Sequence, residues 1–354
     1  SAAGGSTRRD PRPIPMSVRL HVTRLTGAAS LQDGGRRGHL RFGLSASGPM
    51  DPLAFAAANA LVGNPADAAA LELGLAGARL RAEGGAARLA LAGAPSGLRL
   101  DGAPIAAHRS FVLHEGSELT IERPREGVFA YLAAAGGFPV PCVMGSRALH
   151  QRAALGGLGG RACREGDCLP LAAVSAIEAD RCFDPIPLER EAPVRVVLGP
   201  QDDLFSPAGR ATFLSGPFTV SNRADRMGYQ LDGPEIAHGP GGFNIVSDAT
   251  VAGSVQVPGS GRPIVLLADR QTTGGYPKIA TVISADLRRI AQRRPGEAVR
   301  FEAVDLAAAT RIARAHASLS AGLSGRLRPV EGEAERLMRA NLAGAAVDAF
   351  HAED

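Results

Sequence analysis

The sequence predicts a mainly β chain with some helix (α+β), folded as two domains with a few short helices and a helical C-terminal tail. Three observations predict it. At 354 residues the chain exceeds what one hydrophobic core usually serves, so two domains, or a doubled one, are expected. Its 44 glycines and 25 prolines, well above average usage and without a G-X-Y period, demand frequent turns and favour many short strands over long helices. Strand patterns then recur in both halves of the chain.

In chain order, residues 1–16 hold Arg8, Arg9 and Asp10 followed by Pro11, Pro13 and Pro15, with no apolar stretch behind them. A disordered leader is expected there, not a secretory signal. Period-two alternation at 17–22, 118–122 and 298–301 marks half-buried strands. Apolar runs at 128–135, at 264–268 and, broken only by Arg195, at 194–198 mark central strands of closed or doubly covered sheets. Asp51 followed by Pro52 can start a helix that Gly63 ends, and Ser206-Pro207 repeats that start. Ser284 is expected to cap a helix over 285–294 that Pro295-Gly296 stops. Residues 173–193, aperiodic and holding Pro185, Pro187 and Pro193, read as a linker between domains at 17–172 and 194–304. After Asp305, Ala, Leu, Arg and Glu recur at helical spacing, so 305–354 reads as a tail of two helices broken near Arg328-Pro329. The uncharged run 127–146 is interrupted by Gly136-Gly137, Pro139 and Pro141, which makes it a buried strand and turn, not a membrane span. A cytoplasmic protein is expected.

Composition excludes several partners and chemistries. The formal charge is only +4, with basic residues scattered among acidic ones, so a nucleic-acid footprint is poorly supported. Aromatic residues are 4% with no Trp, which leaves few platforms for stacking bases. Cys142, Cys163, Cys168 and Cys182 show no C-x-x-C spacing and are expected as buried free thiols. The eight histidines form no H-E-x-x-H or similar spacing, so no metal is expected on this chain. No G-x-x-x-x-G-K-[ST] loop occurs. Residues 43–47 lack the second glycine of a nucleophile elbow, and no lysine is free for a Ser-Ser-Lys amidase site.

Two segments depart from what packing requires. In the first, Gln32, Asp33, Asp51, Asn59 and Glu72 are polar residues set beside glycines that let backbone approach closely. A helix cap is the simpler role for Asp51. The second runs from an apolar strand into Asp269-Arg270-Gln271-Thr272-Thr273, then Gly274-Gly275-Tyr276-Pro277-Lys278. Lys278 is the only lysine, every other cationic side chain being Arg. Such a loop offers an anion both backbone N–H groups and side-chain donors. Asp225, Arg226, Tyr229 and Gln256 upstream add groups of the same kinds.

With these residues in view, the chain resembles, from about Val18 to Val304, the family called allophanate hydrolase subunit 2, also described as biotin-dependent carboxyltransferase or as the C-type subunit of 5-oxoprolinase. The anchors are Gln32-Asp33, Gly48-Pro49-Met50-Asp51, Ala58-Asn59 with Gly63-Asn64, Leu71-Glu72, Gly136-Gly137, Gly145-Ser146-Arg147, Asp225-Arg226-Met227-Gly228-Tyr229 and residues 267–278. The family usually has Glu where Asp248 stands. The resemblance implies two cyclophilin-like β-barrel domains, a companion of the subunit 1 type and a third, LamB/YcsF-type protein. It also implies ATP-dependent opening of the 5-oxoproline lactam, with ATP bound across the complex. Alternatives are a carboxyltransferase component acting on urea, and a non-catalytic partner that antagonises a histidine-kinase inhibitor of the subunit 1 type. No biotin is expected on this chain, since its single lysine lies between Pro277 and Ile279. On this reading Lys278 supplies charge to a carbonyl or phosphoryl oxygen and Asp225 or Asp269 orients its ammonium. Gln256 and Gln271 bond the substrate amide. Thr272, Thr273, Gly274, Gly275, Tyr276, Arg226, Gln32, Asp51 and Asn59 complete the binding set.

Overall fold

The computed structural model describes residues 18–172 and 179–330. The expected leader, residues 173–178 of the expected linker, and residues 331–354 of the expected tail lie outside them. The fold is mostly β, with two curled, barrel-like sheets and four helices among the described residues.

The first sheet uses β1 (Arg19–Gln32), β2 (Ala70–Glu83), β3 (Ala87–Gly93), β4 (Leu98–Leu100), β5 (Ala103–Ile105), β6 (Ser110–Leu113), β7 (Glu118–Ile121), β8 (Phe129–Ala134) and β9 (Cys168–Pro170). Its order is β5-β4-β7-β2-β8-β3-β6, with β1 along the other side of β2 and β9 beside β1. The 14-residue β2 pairs with β7 through one end and with β8 through the other. That divided pairing curls the sheet. Its interior is filled by alternating inward residues such as Leu20, Leu80, Leu89, Leu119 and Leu132, as the period-two rule requires. The turn at Gly136-Gly137 follows β8 with both glycines at positive φ.

Between the sheets lies α1 (Pro52–Leu61). Asp51 caps it by accepting the Ala54 N–H at 3.1 Å, and Pro52 begins it. All its residues after Pro52 are buried, and a helix apolar on every side must be covered on every side. One face meets the first sheet, where Phe55 sits edge-on to Tyr131 at 5.7 Å. The helix also belongs to the hydrophobic cluster of the second half, with Val196, Phe213, Val255 and Ile279.

Chain order continues with β10 (Arg181–Cys182), β11 (Val194–Leu198), α2 (Pro207–Ser215), β12 (Phe218–Ala224), β13 (Gly228–Asp232), β14 (Asp248–Ala249), β15 (Ser254–Gln256), β16 (Ile264–Leu266), β17 (Thr273–Gly274) and β18 (Lys278–Val282). It ends with α3 (Leu287–Ala291), β19 (Ala298–Val299), β20 (Phe301–Ala303), α4 (Leu306–Ala321) and β21 (Arg328–Pro329). The second sheet runs β19-β12-β13-β16-β15-β18-β11-β20, antiparallel except where β20 joins β11. Two small ribbons, β10 with β21 and β14 with β17, stand apart.

Three local readings need correction. Ser284 makes no capping bond, and the helix expected over 285–294 is a 3-10 turn followed by the shorter α3. Asp286, which could have helped start it, is taken by Arg195 from β11 at 2.6 and 2.8 Å. The first tail helix ends at Ala321, and the chain then returns to pair Arg328 with Cys182. Of the cysteines only Cys163 is buried, its thiol pushed up to about 12 by that burial, while Cys142 and Cys168 are exposed. Among the described residues no helix is long and apolar enough to cross a membrane, and no group of three His, Cys, Asp or Glu could hold a metal ion.

Candidate functional site

Lys278 opens β18, and its position is set by pairing with β15, which lays Gln256 beside it. The lysine side chain is 2% exposed, and its Nζ donates to Asp248 Oδ2 at 2.7 Å. Asp248 begins the β14 ribbon, with its side chain 48% exposed. The hydrogen bond from Lys278, then that from Gln201, holds its carboxyl down at about 2. Gln201 Nε2 reaches Oδ2 at 3.0 Å, and Ala249 N–H reaches Oδ1 at 2.8 Å. An ammonium has three donors. Among the described residues only Asp248 takes one of them.

Two glutamines stand next to this ion pair. Gln271 Nε2 donates to Gln256 Oε1 at 2.9 Å, and Gln256 Nε2 to the Tyr276 carbonyl at 3.3 Å. A Cβ at Gly274 would press on the Gln256 amide, whose side chain would have to shift. Thr273 and Gly274 pair with Ala249 and Asp248 in the ribbon, and Gly275 carbonyl accepts the Ile245 N–H. Thr272 fixes the loop by its carbonyl, which takes the Thr250 N–H at 3.0 Å. Tyr276 is exposed, as are Phe243, Val246 (92%) and Val251 on the facing loop.

Asp225 and Asp269 do not orient the ammonium. Asp225 Oδ1 closes its own turn by accepting the Met227 and Gly228 N–H groups at 2.7 and 3.2 Å. Asp269 is gripped by Arg226 through two bonds, at 2.8 and 3.1 Å. The Arg226 guanidinium also bonds Glu72 of β2 and, at 2.7 Å, the Gly48 carbonyl. Burial opposes its charge, but the two carboxylates outweigh that and raise its pKa above the ordinary value. Glu72 further accepts the Met50 N–H and the Tyr131 hydroxyl, each at 2.9 Å. Burial, reinforced by Glu72 and Asp51, pushes the Tyr131 phenol well above its usual range, so it stays a donor. This network borders a cleft of about 510 Å³ between the halves, lined by Glu72, Asp225, Arg226 and Asp269 with Phe129, Met227 and Tyr229.

The remaining expected binding residues serve the architecture. Gln32 is buried and donates to Ser30 Oγ and the Leu149 carbonyl. Asn59 ties the end of α1 to the Ala68 carbonyl and to Asn64. Besides its capping bond, Asp51 takes Gln292 Nε2 at 3.0 Å and Arg288 Nε at 3.2 Å. The residues read from the sequence therefore fall into two groups, the Lys278 loop and the cleft, with these three outside both. Sequence reading missed Asp248 and Gln201 as partners of Lys278. Asp248 is the sole charged residue in the stretch 239–261, which was a usable signal; nothing local singles out Gln201.

The chain is similar to known proteins over most of its length. Residues 42–303 match the family model described as carboxyltransferase domain, subdomain A and B. Curated relatives include the C-type subunit of 5-oxoprolinase from Haemophilus influenzae, 37% identical and matched over 83% of this chain and 94% of that one. The protein of the same name from Escherichia coli is 36% identical over 80% of this chain and 90% of its own. Solved structures are matched over part of their own length. One chain 37% identical is covered over 60%, at a TM-score of 0.74 and 85% of this chain. The Kluyveromyces lactis urea carboxylase, 27% identical, is covered over 30%, at a TM-score of 0.79 and 88% of this chain.

Proposed function

The chain belongs to the carboxyltransferase-domain family, and on that premise we propose that it is the C-type subunit of a 5-oxoprolinase complex. In this reading the complex opens the lactam of 5-oxoproline to glutamate with ATP as co-substrate, at a site shared with a subunit 1 homologue and served by a LamB/YcsF-type protein. The observation that carries it is the Lys278 ammonium, buried, fixed by Asp248, and with two donors not engaged by the described residues.

Opening a lactam places negative charge on the carbonyl oxygen as the carbon becomes tetrahedral. A buried, pre-oriented ammonium stabilises that charge without reorganising at the moment of reaction. Gln271 Oε1, on the side chain whose amide N–H is held by Gln256, can accept the lactam N–H and set the ring's orientation. In this reading ATP is assigned to the complex as a whole, since the sequence holds no G-x-x-x-x-G-K-[ST] motif. Exposed Phe243, Val246, Val251 and Tyr276 beside the ion pair suit a site that a companion chain completes.

The urea carboxylase relationship favours a second reading, carboxyl transfer from carboxybiotin to urea, in which the same ammonium would steady the transferring carboxylate. The chain is 37% and 36% identical to the two 5-oxoprolinase subunits and 27% identical to the urea carboxylase, which favours the first reading. Lys278 would be a poor biotin carrier in either case, because its amine is buried and ion-paired. The test is to reconstitute the chain with its companion subunits and measure 5-oxoproline-dependent ATP hydrolysis and glutamate release. Turnover is expected only with companions present. Urea-dependent loss of carboxybiotin with no response to 5-oxoproline would overturn the lactam reading, and no response to either substrate would support the non-catalytic partner.

A further inference from the structure

We propose that Gln201 is a positioning residue for the Lys278 ammonium, acting through Asp248. The inference rests on the reading of Lys278 as the group that stabilises developing charge.

Gln201 follows β11 by way of Gly199 and Pro200, and it meets Lys278 twice and the lysine's counter-ion once. Its main-chain N–H donates to the Lys278 carbonyl at 3.1 Å. Its side-chain Oε1 accepts the Lys278 N–H at 3.0 Å. Its Nε2 donates at 3.0 Å to Asp248 Oδ2, the oxygen that also receives the ammonium. One side chain thus holds both the backbone of the lysine and the counter-ion of its head group.

The need for such a clamp follows from exposure. Asp248 lies on a ribbon of two-residue strands with its side chain 48% exposed. A free carboxylate there would sample several rotamers and carry the ammonium with it. With Gln201 on Oδ2 and Ala249 N–H on Oδ1, the carboxylate plane is fixed from both oxygens. The direction of one ammonium donor is then fixed, and with it the cone swept by the other two. Only an amide of this length provides both the acceptor for Lys278 N–H and the donor for Asp248. Leucine provides neither, and glutamate keeps the acceptor but sets a second negative charge against Asp248.

The experiment uses Gln201→Leu and Gln201→Glu in the full chain. The Asp248 carboxyl is titrated by carbon-13 NMR, and kcat and KM are measured in the reconstituted complex. The parent carboxyl is expected at about 2, higher by about one unit in Gln201→Leu, and higher again in Gln201→Glu. Turnover is expected to fall by up to about 10²-fold, as misplacement of a reacting group by about an ångström does, with KM within about twofold of the parent. Gln201→Glu retains the bond to Lys278 N–H, so it reports on the counter-ion even where Gln201→Leu disturbs the loop. An Asp248 titration unchanged in both variants overturns the positioning role, whatever happens to activity. A shifted titration with parental turnover, alongside parental turnover in Lys278→Met, overturns the reading of Lys278 on which the role depends.

Discussion

Lys278 and Asp248 form an ion pair of unequal burial, 2.7 Å apart, with the ammonium sealed in the protein and the carboxylate half in solvent. The asymmetry matters because loss of the counter-ion would leave a buried charge uncompensated, which is strongly destabilising. It also leaves the approach to the ammonium bordered by a ribbon, β14 with β17, that carries little buried apolar surface of its own.

Lys278→Arg is expected to remove activity while leaving the fold intact. Arginine already serves at every other cationic position in the sequence, yet its planar fork cannot replace a compact ammonium in the space beside Gln256 and Gly274. The loss of one such donor corresponds to about 10² to 10³ in turnover. Thermal midpoint, companion binding and turnover are compared with the parent. Parental turnover at an unchanged midpoint would remove Lys278 from catalysis.

Asp248→Asn is expected to lower stability at neutral pH, and the deficit should depend on pH. The folded carboxyl sits at about 2, below its unfolded value of about 3.9. The stability it contributes is therefore complete above about pH 4 and is lost as pH falls through about 2. Denaturation of parent and variant between pH 2 and 7 should show curves that converge at the acid end. A constant difference across that range would show that Asp248 does not act through its charge.

Arg226→Met is expected to destabilise by about 3–5 kcal/mol, because Glu72 and Asp269 would be left facing each other without their shared cation. Adding Glu72→Gln and Asp269→Asn should recover part of the loss. Urea denaturation of the single and triple variants decides it, and a single variant as stable as the parent would mean that the network contributes nothing to holding the halves together.

Gln292→Leu is expected to cost about 3 kcal/mol or more. This side chain, just beyond α3, accepts the Val128 and Phe129 N–H groups at 2.8 and 2.9 Å and donates to Asp51 and the Phe129 carbonyl. Removing it leaves two buried backbone donors and part of a carboxylate unpaired. Amide exchange at Val128 and Phe129 should accelerate selectively. Uniform protection across β8 in the variant would argue that water replaces the glutamine at no cost.

The readable parts of the fold were the local ones. Asp51-Pro52 and Ser206-Pro207 start helices because a cap needs only a side chain and an N–H three residues on. The strand expected over 194–198 has those same bounds. The helix expected from Ser284 shortens to Leu287–Ala291, whose N-cap residue Asp286 makes no capping bond and is instead held by Arg195, 91 residues away. The loop from Gln271 to Lys278 could be seen as unusual, and β15 with β18 brings Gln256 to it.

The sequence by itself determined the fold class, the family, and the presence of a single ammonium in a glycine-bounded polar loop, since these depend on periodicity, residue type and short spacing. Tertiary structure alone decided which acid holds that ammonium. Asp248 and Gln201 reach Lys278 across 30 and 77 residues, while the nearer Asp269 is drawn away by Arg226 and shares it with Glu72, 154 residues from that arginine. The physical reason is that a charge is paired by whatever carboxylate the sheets bring within about 3 Å of it, and strand pairing sets that distance without regard to separation along the chain.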